Sequence, residues 1–339
     1  MPPRTILITG ANGEIGHGLI SRLAEQAGDR IIALDLSTPD EAIRSKCHRC
    51  VMGDITDMSL LETLAAGYDF DVIYHLAALL STKSERQPRL AHLVNVDGTL
   101  NLLELGVSQA RQQERAIKFL YPSSIAIYGL PDLRTKENAG KVKEADWCDP
   151  RTMYGINKLY CERLGRYYEF YYRQLDAQPT AGRLDFRGLR FPGLISAVTV
   201  PTGGTSDFAP EMLHAAAAGK PYACFVRPDT RIPFMAMPDG VEALVQLEAA
   251  AKENLTLPVY NVGSFNPSAG EVHARVRDAF PHAVITFTPD LKRQCIVDSW
   301  PQDVDDSAAR RDWQWQPKYD LARAFDRYLL PAVKKRYGN

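Results

Sequence analysis

The chain opens RTILITG, turns through a glycine-rich segment, continues as an amphipathic stretch from Gly18 to Ala27, and then runs RIIALD. A short apolar run, a helical period and a second apolar run make a β-α-β unit, which commits the two strands to parallel pairing with a helix laid over them. The turn places Gly10, Gly13 and Gly16 three residues apart. Early glycines in such a turn allow a pyrophosphate to approach the backbone, the last lets helix and strand pack closely, and the phosphates sit at the positive end of the helix. Asn12, Glu14 and Ile15, interleaved with those glycines, are the accompanying candidates for dinucleotide contact.

The alternation continues along the first half. CHRCVMGD, Phe70 to His75, IKFLYPSS and GRLDFRGLRFP read as strands; Ser59 to Ala66, Leu90 to Gln113 and Tyr154 to Arg173 read as helices. This predicts an α/β fold with a doubly wound, mostly parallel sheet of the Rossmann type. After Pro192 the texture changes to loops rich in Gly, Pro, Thr and Asp, with helices at Ala209 to Ala218 and Gly240 to Ala251. Residues 1–192 are therefore read as the nucleotide-binding domain, to which later segments return. Residues 193–339 are read as a smaller, interleaved C-terminal region for substrate.

Composition narrows the partners. Forty basic and 41 acidic residues, interspersed, leave a formal net charge of −1, which gives no field for nucleic acid. With no run of 18 apolar residues and no signal-peptide hydrophobic region, the expectation is a cytoplasmic protein with no membrane partner. Cys47-His-Arg-Cys50 lacks a second ligand pair, so it is read as structural and no metal site is expected. The charged stretch Leu133 to Asp146 is read as a surface loop.

Asp35 ends the second strand, where its carboxylate can accept from the adenosine ribose hydroxyls and repel a 2′-phosphate, favouring NAD over NADP. Asp54 and Ile55 end the third strand at the adenine position. Leu76, Ala77 and Ala78 close the fourth with small residues suited to backbone passing near pyrophosphate and ribose; His75 before them fits either a core imidazole or a cofactor-side role. Tyr154 and Lys158, four residues apart, share one helix face. A nearby ammonium favours phenolate, so Lys158 is expected to lower the Tyr154 pKa and make it a base. Ser124, at the end of the preceding strand, can orient a substrate oxygen, and Ser123 competes for part of that role. The aromatic residues Tyr167 to Tyr172 are read as helix packing or a subunit interface.

The glycine motif, HLAA, Asn95, PSS and Tyr-x-x-x-Lys together resemble the extended short-chain dehydrogenase/reductase superfamily over nearly the whole chain. RFPGLIS, GGTSDFA, YACFVRPDTRIPFMAMPD and RQCIVDSWPQDVDDSAARRDWQWQPKYDL are similar to its NAD-dependent L-threonine 3-dehydrogenases. That resemblance implies metal-independent oxidation of the threonine 3-hydroxyl to 2-amino-3-oxobutyrate, and a homodimer pairing long helices. It also implies cofactor contacts at Asn95 and at Leu194 beside the nicotinamide, and substrate contacts at Ser81, Thr205, Ser206 and Trp300. Two features depart from the family: Pro201-Thr-Gly-Gly-Thr205 stands where PGGGT is usual, and the interval from Ser124 to Tyr154 is longer. The competing reading is a nucleotide-sugar 4-epimerase, which would use the same Ser, Tyr and Lys but needs a long groove with basic residues for a diphosphate. Arg227 and Arg231 are a close basic pair in the loops after Pro192, and they are read as fixing a turn. A non-enzymatic NAD sensor would not need the complete Ser, Tyr and Lys set.

Overall fold

The computed structural model describes residues 3–26, 28–176, 184–201 and 203–338; Ala27, Gly182, Arg183 and Thr202, which figured in the expectations above, lie outside them. The strands are β1 (Thr5–Thr9), β2 (Arg30–Asp35), β3 (Arg49–Met52), β4 (Val72–His75), β5 (Ile117–Ser124), β6 (Lys141–Val142), β7 (Leu184–Phe191), β8 (Gly193–Ile195), β9 (Tyr222–Cys224), β10 (Phe234–Ala236), β11 (Val259–Asn261), β12 (Ile285–Phe287) and β13 (Asp303–Val304). Seven of them form one parallel sheet in the order β11-β7-β5-β4-β1-β2-β3. Strand order reverses between β1 and β4, which opens a crevice at their carboxyl ends.

The period of two along each strand divides the core. Ile6, Ile8, Ile31, Ala33 and Tyr74 face one helical layer, which includes Glu14–Ala24 and Met237–Ala249. Leu7, Ile32, Leu34, Ile73, Phe119 and Phe186 face the other, made by Met58–Gly67, Gly98–Gln112 and Met153–Phe170. The fold is thus the expected doubly wound α/β sheet of Rossmann type. A third core, built around Phe208, Met212, Phe234 and Phe325, underlies the later chain. From that later chain, the helix Met237–Ala249 and strand β11 come back to the sheet.

Three local departures have physical reasons. The first helix starts at Glu14 rather than Gly18, directly on the glycine turn. The stretch expected as one helix from Leu90 is interrupted by a π-helical turn at Leu93–Asp97 before Gly98–Gln112, and buried Asn95 sits in that turn. The stretch 133–146 is not a plain surface loop: it contains a helix, Leu133–Asn138, and β6, which pairs with β13. Among the described residues no helix is long and apolar enough to cross a membrane.

Candidate active site

A cleft of about 780 Å³ crosses the carboxyl ends of β1, β2, β4, β5 and β7. Its nucleotide end begins at the glycine turn. Gly10 has φ +66°, and a Cβ there would stand 2.6 Å from Ala77 N, so the turn and the β4 loop touch backbone to backbone. A Cβ on Gly16 would stand 2.4 Å from Ala11 O. Gly13 caps the helix without a side-chain bond, which leaves the first-turn amides to face a ligand. Asp35 Oδ2 accepts from Asn12 N (2.9 Å) and Oδ1 from Ser37 N (3.3 Å), so the turn itself orients that carboxylate. Asp54 Oδ1 is occupied by Thr56 N and Oγ1 at 2.9 and 2.8 Å. Gly10, Asn12, Gly13, Glu14, Ile15, Gly16, Asp35, Asp54, Ile55, Leu76, Ala77, Ala78 and Leu194 all line the cleft.

Ser124, Tyr154 and Lys158 meet at the other end, with Ser81, Ser206 and Trp300 beside them. Thr152 starts the helix Met153–Phe170 by accepting from Gly155 N (3.0 Å), which fixes where Tyr154 leaves it. Ser124 Oγ accepts from Ala126 N (3.1 Å) and remains at the cleft wall. Buried Lys158 donates to Pro122 O (2.6 Å), with its Nζ 5.6 Å from the centre of the Tyr154 ring.

Electrostatics corrects one expectation. Burial pushes the Tyr154 phenol above its ordinary value in the free protein, instead of Lys158 drawing it down. Burial also lowers Lys158 itself to about 8, against smaller raising effects of Cys161 and Glu162. Both shifts share a cause: a dry site disfavours whichever form is charged. His75 is a neutral core imidazole, lowered to about 3 by burial and bonded to Thr9 and Thr99 at 2.8 and 2.9 Å. Glu14 is raised to about 7 by burial and then by Asp207, a residue the sequence reading passed over although it follows Ser206 in GGTSD.

Three expected residues point elsewhere. Asn95 stands behind the cleft wall, its Oδ1 accepting from Leu79 N (2.7 Å) and its Nδ2 donating to Leu79 O (3.1 Å), so it shapes the wall instead of lining it. Thr205 is buried, bonding through N and Oγ1 to Ser81 Oγ at 3.3 Å. Ser123 touches the cleft, but its hydroxyl donates to Glu162, which pairs with Arg190 through two bonds of 2.9 and 2.7 Å. Glu162 lies one turn beyond Lys158 on the same face, a spacing that could have exposed it in the sequence. Arg227 pairs with Asp298 and Arg231 with Glu271, in keeping with a structural role.

The model of the NAD-dependent epimerase/dehydratase family matches residues 6–263. The chain belongs to this family. Among its relatives, the mitochondrial L-threonine 3-dehydrogenase of Bos taurus is 34% identical over 319 residues, 93% of this chain and 79% of that protein. A monomeric L-threonine 3-dehydrogenase from a metagenome superimposes with a TM-score of 0.85 at 34% identity, covering 98% of this chain and 99% of its own. The L-threonine dehydrogenase of Clostridium difficile gives 0.85 at 32% identity, with 99% of each chain covered. The cofactor of this epimerase/dehydratase chain is NAD, and the residues fit it: the bare glycine turn, the uncapped helix start and the oriented Asp35 lie along one cleft with Tyr154 and Lys158.

Proposed function

We propose that the protein oxidises the 3-hydroxyl of L-threonine to give 2-amino-3-oxobutyrate, with NAD taking up the C3 hydride when bound. Tyr154, as phenolate, removes the hydroxyl proton; Ser124 orients that oxygen; Lys158 supplies the positive charge that offsets the cost of ionising a half-buried phenol. The substrate side comes mainly from residues 193–339, through Ser206 and Trp300, with Ser81 opposite. Asp35 is read as selecting NAD over NADP.

The observation that carries this reading is the charge of the cleft wall. Among the described residues, those of its lining that carry charge are Glu14, Asp35, Asp54, Asp207 and Lys158, with no arginine. A nucleotide sugar brings a second diphosphate beyond the one the glycine turn can take, and Arg227 and Arg231, which could pair with it, are committed to Asp298 and Glu271. Asp207, next to Ser206 at the substrate end, suits the ammonium group of a free amino acid. The names of the relatives support the same choice. Purified protein with NAD should form NADH from L-threonine, without added metal and faster than from D-threonine or L-serine. Absence of NADH combined with turnover of a UDP-sugar would move the assignment to the 4-epimerase.

The reading includes a cytoplasmic homodimer. Ile156, Tyr160, Tyr167, Phe170 and Tyr171 are exposed on or just past the helix Met153–Phe170, and Leu90 and Leu93 are exposed on the helical segments Pro88–His92 and Leu93–Asp97 that pack against it. Such a run of large apolar side chains suits pairing with a second copy. Light scattering on the eluting protein tests it, and a monomer mass would end that part of the proposal. Cell fractionation tests the location, since the bovine relative is mitochondrial.

A further inference from the structure

The interval between Ser124 and Tyr154, longer than expected, grips the segment that carries Trp300. Asp132 caps the helix Leu133–Asn138 by accepting from Thr135 N (2.7 Å). That helix drives Lys136 inward until it is 3% exposed, and its Nζ donates to Val297 O at 2.9 Å. The same carbonyl accepts from Trp300 N (3.2 Å), while Leu130 N donates to Ser299 O (2.8 Å). Beyond the turn, β6 pairs with β13 and Asp305 N donates to Val142 O (2.9 Å). Residues 297–305 are therefore held on both sides of Trp300, which is buried and lines the cleft.

A buried ammonium is expensive, and an apolar side chain of equal length would fill the same space at less cost. Lys136 faces Asp298, Arg227 and Asp229, and burial lowers it to about 8. It meets the last turn of the helix Leu291–Asp298, where backbone carbonyls and the helix dipole favour a cation. Its bond is spent on the carbonyl that begins the turn into Trp300.

We infer that Lys136 is a positioning residue: it fixes the 297–300 turn and, through Trp300, sets affinity for the substrate's amino-acid end. This rests on the function proposed above. Lys136→Met keeps the unbranched stem to Cε and removes the donor. Its KM for L-threonine should rise roughly tenfold, the scale of one charge-assisted hydrogen bond. The KM for NAD should stay within about twofold, because no part of the clasp touches the nucleotide end. Lys136→Gln, which retains an N–H donor one bond nearer the backbone, should recover part of the affinity. Amide hydrogen exchange across 297–305 should quicken in the Met variant and return toward native in the Gln variant. Should Lys136→Met fail to fold, Asp132→Ala loosens the same helix from its exposed end and should show a smaller change of the same pattern.

Unchanged exchange in 297–305 would overturn the inference, as would an equal rise in both KM values or faster exchange with an unaltered threonine KM. If the native protein makes no NADH from L-threonine, the proposed function fails by itself. Exchange across 297–305 then decides the clasp alone.

Discussion

Replacing Lys158 by Met should stabilise the free protein near neutral pH while it destroys turnover. Lysine ionises at an ordinary 10.5, and burial lowers Lys158 to about 8. The gap corresponds to on the order of 3 kcal/mol against the charged form. Below pH 8 both folded and unfolded chains hold the proton, so the fold bears the whole penalty. Between pH 8 and 10.5 the folded chain releases it first, the unfolded chain binds more protons, and stability rises with pH. Above 10.5 the penalty is gone. Methionine removes it at every pH but strands Pro122 O, which Lys158 reaches at 2.6 Å; an unsatisfied buried acceptor costs about 1–3 kcal/mol. The variant should thus be more stable than the native protein by about 0–2 kcal/mol at pH 7, and less stable by about 1–3 kcal/mol above pH 10.5. Urea unfolding of both proteins at pH 7, 8.5, 9.5 and 10.5, without cofactor, measures the crossover. A stability difference that stays flat over this range would show that Lys158 is not a buried cation with a lowered pKa, and the electrostatic account of the site would fall with it.

Tyr154→Phe should lower turnover by roughly 10²–10⁴ with NAD affinity kept, as measured by steady-state kinetics and calorimetry. Since burial holds the phenol above its ordinary value, the native rate should climb with pH into the alkaline range; the Phe variant should lack that climb. Asp35→Ser should narrow the preference for NAD over NADP by about tenfold or more in kcat/KM, because a carboxylate close to a 2′-phosphate repels it; equal use of both cofactors by the native protein would remove the role of Asp35. Gly10→Ala combines φ +66° with a Cβ 2.6 Å from Ala77 N. It should weaken NAD binding by more than about tenfold and lower the melting temperature, since left-handed backbone costs a non-glycine roughly 1–2 kcal/mol before any clash.

Much of the fold and the heart of the candidate site were legible because they are written in short intervals. Glycines at positions 10, 13 and 16 between two apolar runs state a tight strand-to-helix turn, and short unbroken apolar runs state strands buried on both faces. Tyr154 and Lys158 share a face because four residues make about one helical turn. What the sequence left open depends on partners far along the chain. Asn95 turned its amide onto Leu79, Ser123 gave its hydroxyl to Glu162, and Thr205 bonded Ser81; each carries the right chemistry for a ligand, and each was claimed by a nearer polar group once the chain closed. The same holds for charge. Spacing places an ammonium one turn from a phenol, but only burial decides that the phenol rises and the ammonium falls, because desolvation depends on every element packed around them. The stretch 133–146 reads as solvated by composition, and becomes part of the support of the cleft wall only because β13 and the carbonyl of Val297 arrive from more than a hundred residues away.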